Sequence, residues 1–297
     1  MTTIPATRSA AVTAPTTFGL SPSRAADFKT CPLLYRFRTV DKLPEPPSAA
    51  AAKGTLVHAV LDAVFDLPAQ QRNVAAAVAL VAPQWQQLSA AEPELTQLFA
   101  SDAEREQWLD SARALVTGYF ELEDPRRLEP HSREALVEVQ VDSLVGGTGQ
   151  DGGAVVGLTL RGYIDRLDVA PNGDVRVVDY KTGATPGENY EAKALFQLKF
   201  YALLIWRTRG VIPKQLRLVY LASKQLLDYS PSEPELLGCE RMLKSLAAAI
   251  TSARSSGAFA PKPSRLCSWC PHQALCPAQG GTPPPYPHKT LQNTESS

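Results

Sequence analysis

Gly162-Tyr163-Ile164-Asp165-Arg166-Leu167-Asp168-Val169 and Val175-Arg176-Val177-Val178-Asp179-Tyr180-Lys181-Thr182-Gly183 flank the turn Pro171-Asn172-Gly173-Asp174. Two runs rich in β-branched and aliphatic residues around an Asn-Gly turn predict an antiparallel hairpin, with strands over 158–169 and 175–181. Alternation puts Tyr163, Asp165, Leu167 and Val169 on one face of the first strand, and Val175, Val177, Asp179 and Lys181 on one face of the second. Merging these faces into one core needs an even register, for example Asp165 opposite Lys181. A three-residue loop or a bulge at the turn supplies it.

That register gathers two carboxylates and an amine at one end of the hairpin. Neighbouring carboxylates repel unless a cation lies between them or one is protonated. Oxygen donors suit a hard cation such as Mg²⁺ or Mn²⁺. A lysine two residues beyond a metal-binding carboxylate can orient a water or offset charge on a phosphate. The same Asp-x-Lys spacing also suits a plain ion pair at a strand end.

Outward from the hairpin, the pattern changes from helices to strands and back. Helical spacing runs over 21–38, with a break or a new start at Pro32, and over 54–67, 71–89 and 102–121. A strand is expected at 135–141, a Gly-rich loop at 146–157, a helix at 191–208, a strand at 215–221 and a helix at 233–255. This order predicts an α/β protein with a mixed sheet flanked by helices. Residues 1–18 and 280–297, rich in Pro, Thr, Ser and Gly, read as disordered tails around one domain at 19–279.

The 297 residues are 44% hydrophobic and 20% charged, which is globular composition. No apolar run approaches the ~20 residues that span a bilayer, and residues 1–20 lack a signal-peptide core, so a cytoplasmic location is expected. Thirty basic residues balance thirty acidic ones, but unevenly. Residues 86–138 hold twelve acids and five bases, whereas residues 192–225 hold seven bases and no acid. Either these are ordinary solvated helix faces, or the basic segment faces a polyanion.

Cys267, Cys270 and Cys276 form a C-x₂-C-x₅-C cluster of a kind that binds metal in intracellular chains. Cys31 is the expected fourth ligand, since Cys31, Cys270 and Cys276 are each followed by proline; His272 is the alternative. Cys239, within a helix, reads as a buried small residue. Spacing leaves zinc and an iron–sulfur cluster equally open. Either would tie together segments more than 230 residues apart.

Six blocks occur in one order: Cys31-Pro32, Gly54-Thr55-Leu56-Val57-His58, Gly162 to Arg166, Asp179 to Gly183, Gln197-Leu198-Lys199-Phe200-Tyr201, and the three-cysteine cluster. The chain thereby resembles RecB-like nucleases of the PD-(D/E)XK superfamily, in their iron–sulfur branch. That branch includes the AddB nuclease domain and CRISPR-associated RecB-like exonucleases. The resemblance implies a restriction-endonuclease-like core. It implies Mg²⁺ or Mn²⁺ held by His58, Asp165, Asp179 and the Tyr180 carbonyl, and Lys181 as the catalytic lysine. Gln197 and Tyr201 match its QxxxY motif, and Cys31, Cys267, Cys270 and Cys276 match its 4Fe-4S ligands. Glu138 is a loose match to an acidic residue on the first core strand, and Arg166 is either a phosphate contact or an ion-pair partner.

The function so implied is a DNA exonuclease acting on single strands or ends in repair or recombination. With no G-x-x-x-x-G-K-[ST] in the sequence, a helicase would be a separate subunit. The alternatives are a CRISPR-adaptation nuclease, a non-catalytic DNA-end-binding module and a redox sensor.

Overall fold

The computed structural model describes residues 18–141, 157–185 and 188–287. Among these residues six strands form one mixed sheet: β1 (Phe18–Leu20), β2 (Ser132–Val141), β3 (Leu158–Val169), β4 (Val175–Lys181), β5 (Gln215–Tyr220) and β6 (Gln225–Tyr229). The order is β1-β3-β4-β5-β6, with β2 along the other edge of β3. β1 pairs parallel to β3 and β4 parallel to β5; the remaining pairs are antiparallel.

Helices cover both faces. One layer is built by α1 (Pro22–Thr30), α7 (Glu188–Arg209) and α8 (Glu233–Ser256), next to α2 (Pro32–Tyr35); the other by α3 (Ala49–Val64), α4 (Val74–Ala79), α5 (Val81–Ala91) and α6 (Asp102–Leu122). β4 shows why the sequence there lacks a clean alternation. Val175 and Val177 enter the core under α7 and α8, while Val178 and Tyr180 enter the core under α3 to α6. A strand covered on both faces reads as a nearly continuous apolar run.

The hairpin has the expected parity. Pairs run from Val169↔Val175 to Arg166↔Val178, around a three-residue loop whose Gly173 takes φ +87°. Ala170 N–H donates to Asp174 O at 2.9 Å and Gly173 N–H to Ala170 O at 2.8 Å, closing the turn. The register differs by two residues from the one expected: extended one step, it sets Asp165 across from Asp179, not Lys181. The ladder stops there because Asp165 Oδ2 itself accepts the Tyr180 N–H at 2.7 Å.

β3 is longer than its neighbours on one edge. β1 occupies residues 158–160 of that edge and β4 occupies 166–169, so 161–165 find no strand there among the described residues. The sheet is therefore split, and a cleft opens at the split.

Several expectations need correction. Phe18 belongs to β1, and the chain stays packed past residue 279, since Tyr286 donates its hydroxyl to Arg254 O at 2.8 Å and lies 5.8 Å from Phe259, ring to ring. Residues 1–17 and 288–297 and most of the Gly-rich loop lie outside the described residues. β6 was not foreseen, because Gln225-Leu226-Leu227-Asp228-Tyr229 does not alternate. The basic segment is not a free cationic surface. Lys199 pairs with Glu235, Arg207 with Glu240, Arg217 with Glu123 and Asp228, and Lys224 with Glu121. The acid-rich segment supplies two of these partners, which is where the charge imbalance is neutralised.

Candidate active site

The split in the sheet is where the signature residues converge. α3 brings His58 over the end of β4, where Gly54 of the same helix lies beside Thr182. His58 Nε2 lies 2.9 Å from the Tyr180 carbonyl oxygen. A carbonyl only accepts, so Nε2 carries the proton and Nδ1 keeps its lone pair. Nδ1 stands 3.5 Å from Asp165 Oδ2 and 3.9 Å from Glu134 Oε1. Burial is the main influence on the imidazole; it lowers the pKa and keeps the ring neutral, as a metal ligand must be.

His58, Glu134 and Asp165 bring their ligand atoms within 4.8 Å of one another. Glu134 was not anticipated: the loose match to Glu138 falls four residues too late. Glu138 faces Arg161 at 3.7 Å on an exposed part of β2. Glu134 takes φ +42°, in the left-handed region, and the β2–β3 pairing skips the Glu134–Asp165 position. That conformation costs a non-glycine residue about 1–2 kcal/mol. Its signal in the sequence was an acid that would pair across from Asp165 if the first strand began three residues earlier than read.

Asp179 is buried and turned toward the other side of the cleft. Its Oδ2 stands 2.6 Å from Lys181 Nζ, and its Oδ1 accepts from Gln197 Nε2 at 3.0 Å. Gln197 Oε1 accepts from Lys181 Nζ at 2.9 Å, and Gln197 Nε2 also donates to the Tyr201 hydroxyl at 2.9 Å. Burial, then Asp179, hold the Tyr201 phenol above its ordinary value, so it stays protonated. The spacing of four residues on α7 puts both side chains on one face, Gln197 against Asp179 and Lys181 of β4 and Tyr201 over Gly162 of β3.

Three carboxylates (Glu134, Asp165, Asp179) face one ammonium (Lys181), a formal charge of −2. Burial, then the Asp179 charge, push Asp165 well above the usual carboxylate range. A divalent cation relieves both, and oxygen donors with one imidazole suit Mg²⁺ or Mn²⁺.

Arg166 is an ion-pair partner and no phosphate contact. It is fully buried on the opposite face of β3, bonding both Glu123 oxygens (2.8 and 3.1 Å) and the Tyr180 hydroxyl (2.7 Å).

Cys31, Cys267, Cys270 and Cys276 line one cavity of about 290 Å³, and none forms a disulfide. Lys262 N–H points at Cys31 Sγ (3.4 Å) and Ser264 N–H at Cys267 Sγ (3.3 Å). His272 does not replace Cys31: its ring packs on Phe37 and its Nε2 lies 2.9 Å from Glu45 Oε1.

The family model "PD-(D/E)XK nuclease superfamily" matches residues 19–277, so the chain belongs to that superfamily. Its members generally use Mg²⁺ or Mn²⁺. The chain is 27% identical over 239 residues to the gene 69 protein of Mycobacterium phage D29, covering 72% of this chain and 78% of that one. It is 33% identical over 124 residues to the gene 69 protein of Mycobacterium phage L5, covering 41% and 40%. In fold it is similar to a Eubacterium rectale protein whose crystal structure is named "Putative exonuclease". The TM-score is 0.51 at 15% identity, over 85% of this chain and 86% of that one. No helix among the described residues is long and apolar enough to cross a membrane.

Proposed function

We propose that the chain is a metal-dependent deoxyribonuclease that hydrolyses the phosphodiester backbone of DNA from single-stranded ends. The observation that carries this reading is the Asp179–Lys181–Gln197 triangle, held within hydrogen-bond distance beside the His58, Glu134 and Asp165 donors. A DNA-end-binding module would have no use for it. A bound Mg²⁺ or Mn²⁺ would stabilise the charge that builds on the phosphate and on the departing oxygen. His58, Glu134, Asp165 and Asp179 would hold the ion, with the Tyr180 carbonyl beside them. Lys181 Nζ, fixed by Asp179 and Gln197, directs its remaining proton into the cleft, where it orients the attacking water and offsets phosphate charge. Tyr201 holds Gln197 in place.

The four cysteines are proposed to hold a 4Fe-4S cluster. All four line one cavity and none is tied up in a disulfide, and the choice of an iron–sulfur cluster over zinc rests on the family resemblance. A role in repair or recombination beside a separate helicase subunit, in the cytoplasm, rests on the family resemblance.

The test is anaerobically purified protein with Mn²⁺ and end-labelled single-stranded DNA, beside Asp179→Asn. A ladder growing from one end, absent in the variant, supports the reading and gives the polarity. Tight binding without cleavage by the wild type overturns it.

A further inference from the structure

We propose that the cleft at the split in the sheet seats the single-stranded DNA flanking the cut, with Arg24 and Arg161 gripping its phosphates and Tyr163 stacking on a base. This rests on the nuclease reading and names the groups that would select its substrate. The cleft has a volume of about 610 Å³ and runs from Gln197 and Tyr201, in the candidate site, along 161–163 of β3 to the start of α1. A strand whose backbone reaches Lys181 can therefore run along it, since the cleft meets the candidate site at Gln197 and Tyr201.

Its walls carry the two chemistries that single strands need. The arms of Arg24 and Arg161 converge on Gly19: a β-carbon there would lie 3.8 Å from Arg161 Cδ and 3.9 Å from Arg24 Nη1. Arg24 Nη1 donates to Gly19 O at 3.2 Å, a neutral partner, and among the described residues the acid paired with Arg161 is the half-exposed Glu138 at 3.7 Å. Arg38, the third arginine of the cleft, is fully engaged by Glu45 and Asp27. Tyr163 and Leu136 lie directly opposite in the β2–β3 register, 56% and 45% exposed, and form a flat apolar platform beside the cations. Two large apolar side chains exposed side by side at a cationic cleft serve burial in no core. A base can use such a platform only when it is unpaired and unstacked, so the cleft discriminates against intact duplex.

The experiment measures binding apart from cleavage. A fluorescent oligo-dT is titrated in EDTA, by anisotropy, between about 50 and 200 mM salt. Arg24→Gln/Arg161→Gln is expected to weaken binding at least tenfold and to flatten the logarithmic salt slope by about 1.4, two single-strand phosphates' worth. Arg161→Gln alone, on the surface, shows about half that slope change should the Arg24 substitution loosen β1. Tyr163→Ala is expected to weaken binding roughly 5- to 150-fold, and Tyr163→Phe to retain it. Lys224→Gln, paired with Glu121 elsewhere, leaves Kd unchanged. Wild-type Kd and slope in the arginine variants, or no difference between Ala and Phe at 163, overturns the proposal. Because EDTA prevents cleavage, these binding losses in a protein that never cuts DNA would refute the nuclease reading and leave the cleft assignment standing. Cleavage with no binding loss in the variants would do the reverse.

Discussion

Tyr201 packs so closely over Gly162 that a β-carbon on the glycine would stand 2.8 Å from the ring's Cε1. The first glycine of the hairpin stretch is thus a seat for the tyrosine that steadies Gln197. Gly162→Ala should displace the ring, break the Gln197–Tyr201 hydrogen bond and free Lys181 to move. The expected result is a drop of at least tenfold in kcat, with a stability loss of about 1–3 kcal/mol from overpacking. Single-turnover cleavage beside urea denaturation would check it; full activity would show that Tyr201 does not need this seat.

Glu134 should trade stability against metal binding. Glu134→Asn keeps a residue that tolerates the left-handed region and removes one of three repelling carboxylates. The variant should fold at least as stably as the wild type and bind Mn²⁺ at least tenfold more weakly. Melting curves and calorimetric titration with Mn²⁺ measure the two effects independently.

Arg166 and Glu123 predict an acid-sensitive core. Burial alone would raise Glu123, but the bonded Arg166 and Arg217 outweigh it and hold the carboxyl below its usual range. A depressed folded value means stability that is present above the unfolded value of about 4.3 and lost as pH falls through the folded one. Glu123→Gln should therefore cost about 3 kcal/mol at pH 7, since it leaves the buried Arg166 guanidinium with Asp168 as its remaining carboxylate partner, and progressively less below about pH 4.3. Urea midpoints at both pH values decide; a penalty independent of pH would mean packing, not charge, is at stake.

The cysteines separate into two kinds. Burial pushes the Cys239 thiol up to about 11, so it stays protonated within α8, and Cys239→Ala should leave metal content and melting temperature nearly unchanged. Cys270→Ser, by contrast, should lose iron and its visible absorbance and lower the melting temperature by several degrees. Iron analysis of both variants, purified without oxygen, is the check. Iron retained by Cys270→Ser would remove that residue from the ligand set.

The hairpin strands and the even parity of their pairing were legible from two apolar runs around one turn and the need to bury them in one core, which left a three-residue loop and a bulge both open. His58, Asp165, Asp179, Lys181, Gln197 and Tyr201 were legible as a set, and the fold gathers them around one cleft. Glu134 was not, because its place depends on a backbone kink where the β2–β3 ladder fails, and no residue pattern announces one. Arg166 could not be assigned either: which face of β3 meets Glu123 depends on how α6 packs, 40 residues upstream. The basic segment misled for the same reason, its counter-charges lying on α6, β6 and α8.

The cysteine cavity also sets a clock on biogenesis. Cys31 leaves the ribosome 236 residues before Cys267, the first of its three companions, a delay of roughly 10–50 s at ordinary elongation rates. Throughout that interval the far end of α1 is held by other contacts, Asp27 with Arg38 and Lys29 over the Phe196 ring, and not through Cys31. The contacts that close the molecule, Glu45 with His272 and Arg36 with the Pro284 carbonyl, are likewise formed only after translation has passed them. Joining the two ends of the domain is thus a late event, and under the proposed cluster a cell short of that cofactor would accumulate chains whose catalytic residues are complete but whose ends are not yet tied together.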